Sequence, residues 1–191
     1  WPCLAEEIAR VLGYHHVSVE FSTGAVIIEK ATPINEISRK IEDYLIADGF
    51  YQTNTFTMIS REDYDKTKQS LDNALEFANP LTIEESVLRQ QLLPSILKIL
   101  SFNRKRQVEH MRFFEIGKVF WGKDGLPEEE LHCAGIVTGQ VFEKVYFGDD
   151  KKNNDVNIFY LKGIVENLLG ILGFAAVSFV PITVSIFHPK K

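Results

Sequence analysis

From Leu168 to Phe187 the sequence contains no charged residue, and a run of that length is close to the ~20 residues a membrane-spanning helix requires. Its interruptions decide what it can fold into. Gly170, Gly173 and Pro181 break it, and its second half, VSFVPITVSIF, has the β-branched content of a strand. Upstream, Ile158, Leu161, Val165, Leu168 and Leu172 follow alternating spacings of three and four, which mark one face of a helix. The run therefore predicts an amphipathic helix capped near Gly173 and then a buried strand. No membrane association is expected.

The same signals recur along the chain. Leu4, Ile8, Val11 and Leu12 line a helix from Cys3 to Leu12 that stops at Gly13, and a β-rich segment spans Val17 to Glu29. Thr32 is placed to cap a helix that has Pro33 in its first position, carries Ile34, Ile37, Ile41, Tyr44 and Leu45 on one side, and ends at Gly49. YQTNTFTMIS then has strand composition, Arg61 to Gln69 predicts a polar helix, and Ala74 to Ala78 a short strand. Pro94 suits the first turn of a helix and disfavours an α conformation at Leu93, so a helix is expected from Pro94, with Asn103 to Arg106 forming its basic end. HMRFFEIGKVFWG and LHCAGIVTGQV predict an antiparallel hairpin joined by a turn-rich KDGLPEEE. Helices interspersed with hairpin strands favour an α+β fold with an antiparallel sheet.

Composition narrows the function classes. The chain's 191 residues suffice for one full-sized domain and part of a second. With 21 basic against 26 acidic residues, the net charge is −5, and the basic footprint of a surface that grips nucleic acid is missing. Cys3 and Cys133 make no disulfide framework and have no zinc spacing, so two reduced thiols in an intracellular protein are expected. Trp1 stands where a methionine would open a complete chain, which predicts a segment of a longer one.

No local motif names an activity. GKVFWGKD, from Gly117 to Asp124, has the spacing of a phosphate loop, but Asp124 replaces the Ser or Thr, bulky Phe120 and Trp121 occupy the loop, and no helix follows. His15, His16, His110, His132 and His188 show no HExxH spacing, and the first two fit a surface turn. No GxSxG elbow is present. Adjacent Glu6 and Glu7 could hold Mg²⁺, although neighbouring acids on a helix ordinarily face solvent. Arg104, Lys105 and Arg106 could touch RNA phosphate, but they equally complement the helix dipole.

The order of these patterns resembles the β chain of bacterial phenylalanyl-tRNA synthetase. The matching pieces are AEEIARVLGYHHV, IEDYLIADGFYQTNTFTMIS, NPLTIEESVLRQQLLPSILKILSFN, RFFEIGKVF and FYLKGIVENLLGILGF, in family order over nearly the whole chain. The most specific residues are Asn79, Pro80, Leu81, Arg89, Leu92, Leu93, Pro94 and Asn103, followed by Phe114, Glu115, Ile116 and Gly117, and then Leu161, Lys162 and Gly163. The resemblance implies a class II aminoacyl-tRNA synthetase-like fold, an antiparallel sheet flanked by helices. Residues 1-30 would be the end of a preceding domain with its connection, and residues 31-191 a catalytic-like module, truncated at its C-terminus. Lys190 in HPKK stands where the family often has Gly.

What the family implies for function is a non-catalytic structural module with no catalytic or cofactor-binding residues of its own. It would pack against the α subunit and support an (αβ)₂ enzyme of the cytoplasm that joins phenylalanine to tRNA(Phe) with ATP and Mg²⁺. Glu6 and Glu7 would match two acidic positions of a Mg²⁺ site shared with the α subunit, although Cys3 stands where the family usually has Asp. The residues agree on inactivity. Class II catalysis needs Arg-x-Glu and a glycine-rich motif ending in Arg; here Arg112 and Glu115 have two residues between them, which in a strand puts them on opposite faces, and no GxGxGxxR exists. The rival readings are a stand-alone class II-like amino-acid-activating enzyme and an RNA-binding module. The faces around Ile96 and Leu100 are candidates for meeting a partner or for filling the domain's own core.

Overall fold

The computed structural model of the chain describes residues 2–16, 30–67, 71–123, 126–141 and 154–181. It divides into two compact units, Trp1–Ala31 and Thr32–Lys191. In the first, α1 runs Pro2–Leu12 and is followed by a single 3₁₀ turn, Tyr14–His16. The β-rich segment expected from Val17 to Glu29 lies outside the described residues.

The second unit opens on α2, Pro33–Ala47, where Thr32 Oγ1 accepts from the Asn35 N–H at 3.4 Å. Its end needs a left-handed residue, which Gly49 supplies at φ +85. β1, Tyr51–Gln52, and β2, Met58–Ile59, follow as two short strands rather than the single strand expected over YQTNTFTMIS. They belong to different sheets, and the stretch between them is drawn away by Thr55, whose hydroxyl donates to Glu115 at 2.7 Å. α3, Arg61–Lys66, is capped by Ser60 and ends at Thr67; the last two residues of the helix expected to Gln69 lie outside the described residues. Of the strand expected at Ala74 to Ala78, one bridge remains, Glu76 with Val87.

β3, Val87–Leu88, pairs antiparallel with β2, and α4 runs Leu93–Arg104. It begins one residue before Pro94, so Leu93 is helical despite the proline after it. β4, Met111–Lys123, and β5, Leu126–Thr138, form the expected hairpin in a continuous register from Met111↔Thr138 to Lys123↔Leu126. Glu128, Glu129 and Glu130, expected in a loop, are paired strand residues instead. β1 joins β4 in parallel, so the three-stranded sheet is mixed, with order β1-β4-β5.

α5, Ile158–Ile171, accounts for the first part of the uncharged run. Asn157 Oδ1 accepts from the Phe159 and Tyr160 amides at 2.9 and 3.0 Å, and Gly173 closes the helix at φ +95. Residues 174–181 carry no regular element, so the expected strand is absent there, and its remainder lies outside the described residues. Among the described residues no helix is long and apolar enough to cross a membrane.

The pleat of β4 sorts its side chains onto two faces. Phe114 packs with Leu45 of α2, Phe50 and Ile164 of α5, with Ile116 beside them. On the other face, Val119 packs with Leu92 and Ile96 of α4, with Trp121 beside them. Ile96 is 1% exposed and therefore fills the unit's own core, not a partner-facing surface. Each such side chain contributes roughly 1.5–3 kcal/mol by burial.

Candidate functional site

On the α4 side of β4, between Phe114 and Val119, the core contains a charge. Glu115 is 1% exposed, and it is met by Arg89, 2% exposed, from the turn after β3. Arg89 Nη1 lies 2.6 Å from Glu115 Oε1 and donates to Thr55 Oγ1 at 2.7 Å, while its Nε donates to the Lys118 carbonyl at 2.9 Å. Thr55 Oγ1 donates to Glu115 Oε2 at 2.7 Å, and the Thr55 amide donates to Oε1 at 3.3 Å. Both carboxylate oxygens are thus held, and Nε and Nη1 of the guanidinium have internal partners, as burying two charges together requires.

Space for the guanidinium comes from Gly117, two residues along the same face. A Cβ there would fall well inside contact distance of Arg89 Nη2, 3.0 Å from Glu115 Oε1 and 3.2 Å from Leu92 Cδ2. The Phe-Glu-Ile-Gly strand and the Arg89 segment are therefore two halves of one buried network. Sequence reasoning did not join them, although Arg89 in VLRQQLLP and Glu115 in FFEIG are each the one charge of their stretch.

Arg112 is turned to the opposite face, as its spacing from Glu115 requires. Its Nη1 donates to the Asp48 carbonyl at 2.8 Å, its Nη2 donates to the Val141 carbonyl, and its guanidinium lies 5.4 Å from the centre of the Tyr160 ring. It ties the end of α2 to the end of the hairpin and to α5. Arg112 and Arg89, the two arginines set against β4, are thus spent on the protein itself, and neither is free to take a phosphate.

Three tyrosines brace the same region. Tyr44 donates to the Ile164 carbonyl at 3.3 Å, and Tyr64, 0% exposed, accepts from the Gln90 amide. Burial pushes the Tyr44, Tyr64 and Tyr160 hydroxyls above their ordinary pKa.

The other sequence candidates remain apart. Glu6 and Glu7 are exposed on α1, both paired with Arg10, at 3.5 and 3.0 Å. No group of three or more His, Cys, Asp or Glu that could hold a metal ion occurs among the described residues. His15 and His16 are exposed neighbours in the 3₁₀ turn, and Cys3 and Cys133 are free and exposed. Gly117 to Lys123 lies in β4, so the phosphate-loop spacing is a strand. At the basic end of α4, Arg106 lies over the Phe102 ring at 3.4 Å and donates to the Phe102 carbonyl at 2.9 Å. A cavity of about 530 Å³ beside it sets Arg104 and His110 against Glu109 and Asp155.

The fold is shared with class II aminoacyl-tRNA synthetases. Pyrrolysyl-tRNA synthetase from Desulfitobacterium hafniense matches with a TM-score of 0.57 at 17% identity, over 78% of this chain and 50% of that one. The ATP phosphoribosyltransferase regulatory subunit/histidyl-tRNA synthetase from Bacillus halodurans C matches with a TM-score of 0.54 at 13% identity, over 83% of this chain and 40% of that one. At such identities the likeness is one of fold alone.

Sequence relatives are nearer. The phenylalanine–tRNA ligase β subunit of Bacillus cereus is 31% identical over 98% of this chain and 24% of its own length. That of Carboxydothermus hydrogenoformans is 34% identical over 97% of this chain and 23% of its own length, and that of Geobacter metallireducens 29% identical over 98% and 24%. The chain therefore spans about a quarter of the length of these relatives. The sequence profile of the phenylalanyl-tRNA synthetase β chain CLM domain matches residues 18–191, and the chain belongs to that family.

Proposed function

We propose that this segment is a catalytically silent, synthetase-like module of a phenylalanine–tRNA ligase β subunit, packing against the α subunit and supporting assembly of an (αβ)₂ enzyme. One observation carries the silent reading: Arg89 and Glu115 neutralise each other at 2.6 Å in the core. A site that binds ATP must keep a cation free for phosphate. Phenylalanine activation with ATP then belongs to the α subunit, and contact with tRNA(Phe) to other parts of the enzyme, in the cytoplasm.

Exposed apolar side chains support a packing role. Phe159 and Ile158 of α5 are 78% and 70% exposed, and Leu81 is 94% exposed. For Mg²⁺, Glu6 and Glu7 are donors of the right class, but Arg10 compensates both and no third donor joins them among the described residues. These residues alone do not fit a metal ion. A shared site requires oxygen donors from the α subunit.

The test uses the full-length β subunit. Combined with an α subunit disabled at its active site, it should give no phenylalanine-dependent pyrophosphate exchange, and exchange above background overturns the silent reading. Mixed with intact α at micromolar concentration, it should sediment as a heterotetramer, and Phe159→Asp should weaken that assembly. Failure of the intact chains to associate rules out the assembly role.

A further inference from the structure

β4 and β5 pair as far as Met111↔Thr138, and just beyond that pair the open end of the hairpin is fastened by a side chain. The Gln140 amide donates to Nδ1 of His110, a half-buried residue, at 3.0 Å. A backbone amide can only donate, so Nδ1 carries the lone pair and the neutral ring keeps its proton on Nε2. Gly139 lets the backbone come this close: its φ is +86, and a Cβ there would collide with Nδ1 and lie 2.7 Å from the Glu109 carbonyl oxygen. Thr138 Oγ1 donates to that same carbonyl at 2.9 Å.

The fastening is shared with α5. Gly139 and Val141 flank the amide that His110 holds, and both bond to the segment before that helix. The Gly139 carbonyl accepts from the Val156 amide at 2.9 Å, and the Val141 amide donates to the Asn154 carbonyl at 2.7 Å. Between them Asp155 is bridged to Gln140, and Asn157, two residues on, caps α5. His110 thus stands behind the join between the hairpin and the start of α5.

We propose that His110 is a pH-sensitive latch on this join. An imidazole is the side chain that ordinarily takes up a proton between pH 8 and 5. Protonation places a hydrogen on Nδ1, where it faces the Gln140 N–H. Donor then meets donor, the bond is lost, and residues 139–141 loosen from residues 154–156. Charged neighbours from each packed element act on that proton. Glu109, and Asp155 from the bridged segment, line the same cavity as the imidazole and favour its charged form, while Arg104 of α4 opposes it. Arg112 of β4 keeps its charge throughout and donates to the Val141 carbonyl, so it tethers the segment while the latch opens.

The latch stands independently of the subunit reading, and its test needs no α subunit. Hydrogen exchange of the full-length β subunit is followed by mass spectrometry at pH 8 and pH 5 and corrected for the intrinsic pH dependence of exchange. Protection at Gln140, Val141 and Val156 should fall about fivefold at the lower pH, the scale of one hydrogen bond, while amides at the centre of β4 keep theirs. His110→Asn sets an acceptor oxygen at the place of Nδ1 that takes up no proton in this range, and it should remove the pH dependence. Unchanged protection at the join in the unaltered protein overturns the proposal, a comparison that needs no folded variant. A loss spread equally over β4, or a pH dependence that survives in His110→Asn, overturns it as well.

Discussion

The Arg89 guanidinium lies 2.6 Å from the Glu115 carboxylate where neither side chain is more than 2% exposed. Thr55, from the loop between β1 and β2, bridges the two, accepting from the arginine and donating to the glutamate, both at 2.7 Å. Arg89→Met should therefore cost about 3–5 kcal/mol, because it leaves a carboxylate buried without its cation. Replacing both charges, Arg89→Met with Glu115→Leu, should cost clearly less than the sum of the single changes. Urea unfolding measures the cycle. Additive losses would mean that the two residues act separately.

Two glycines should respond to alanine with opposite sign. At Gly117 a Cβ collides with the Arg89 side chain and lies 3.0 Å from Glu115 Oε1, so Gly117→Ala should destabilise by about 1–3 kcal/mol. At Gly163, inside α5, a Cβ meets nothing within 4 Å, so Gly163→Ala should stabilise by about 0.5–1 kcal/mol through helix propensity. Thermal unfolding reads both shifts.

Arg112 should resist conservative replacement. It donates to carbonyls of two separate elements, those of Asp48 and Val141, through two different nitrogens. Arg112→Met should lower stability by about 2 kcal/mol or more, and Arg112→Lys should recover less than half of it, since an ammonium is a point donor and not a planar fork. Hydrogen exchange should show the loss first in the amides at the end of α2.

Alkaline pH should loosen the module before it reaches the intrinsic limit of the backbone. Burial raises the pKa of Tyr44, Tyr64 and Tyr160 in the folded chain above the ordinary value of about 10. The folded state then holds these protons more tightly than the unfolded one, so the contribution is fully present below about pH 10 and is lost as pH rises through the folded values. Urea midpoints at pH 8 and 10.5 should differ, and Tyr64→Phe should narrow the difference while lowering stability at pH 8 by about 1 kcal/mol, because the Gln90 amide loses its acceptor.

The helices were legible because their determinants are local. Thr32 and Pro33 open α2, Gly173 closes α5, and both caps are completed within a few residues of chain. The hairpin of β4 and β5 was legible for the same reason, since its strands adjoin in sequence and their apolar content repeats the pleat. Family membership, too, followed from the order of short motifs. The sequence by itself thus determined the main helices, the hairpin and the family.

Only the tertiary structure decided what the charges do. Arg89 and Glu115 stand 26 residues apart, and Thr55 another 34 before Arg89. Nothing local makes them partners; they meet because the pleat of β4 turns Glu115 toward α4 and because Gly117 leaves a space that the guanidinium fills. The parallel pairing of β1 with β4 and the shortness of β1 and β2 have the same origin, since pairings between distant segments are set by packing and register, not by propensity. An arginine and a glutamate in apolar runs announce burial or function alike, and the choice between them lies in whether a third residue arrives to satisfy both.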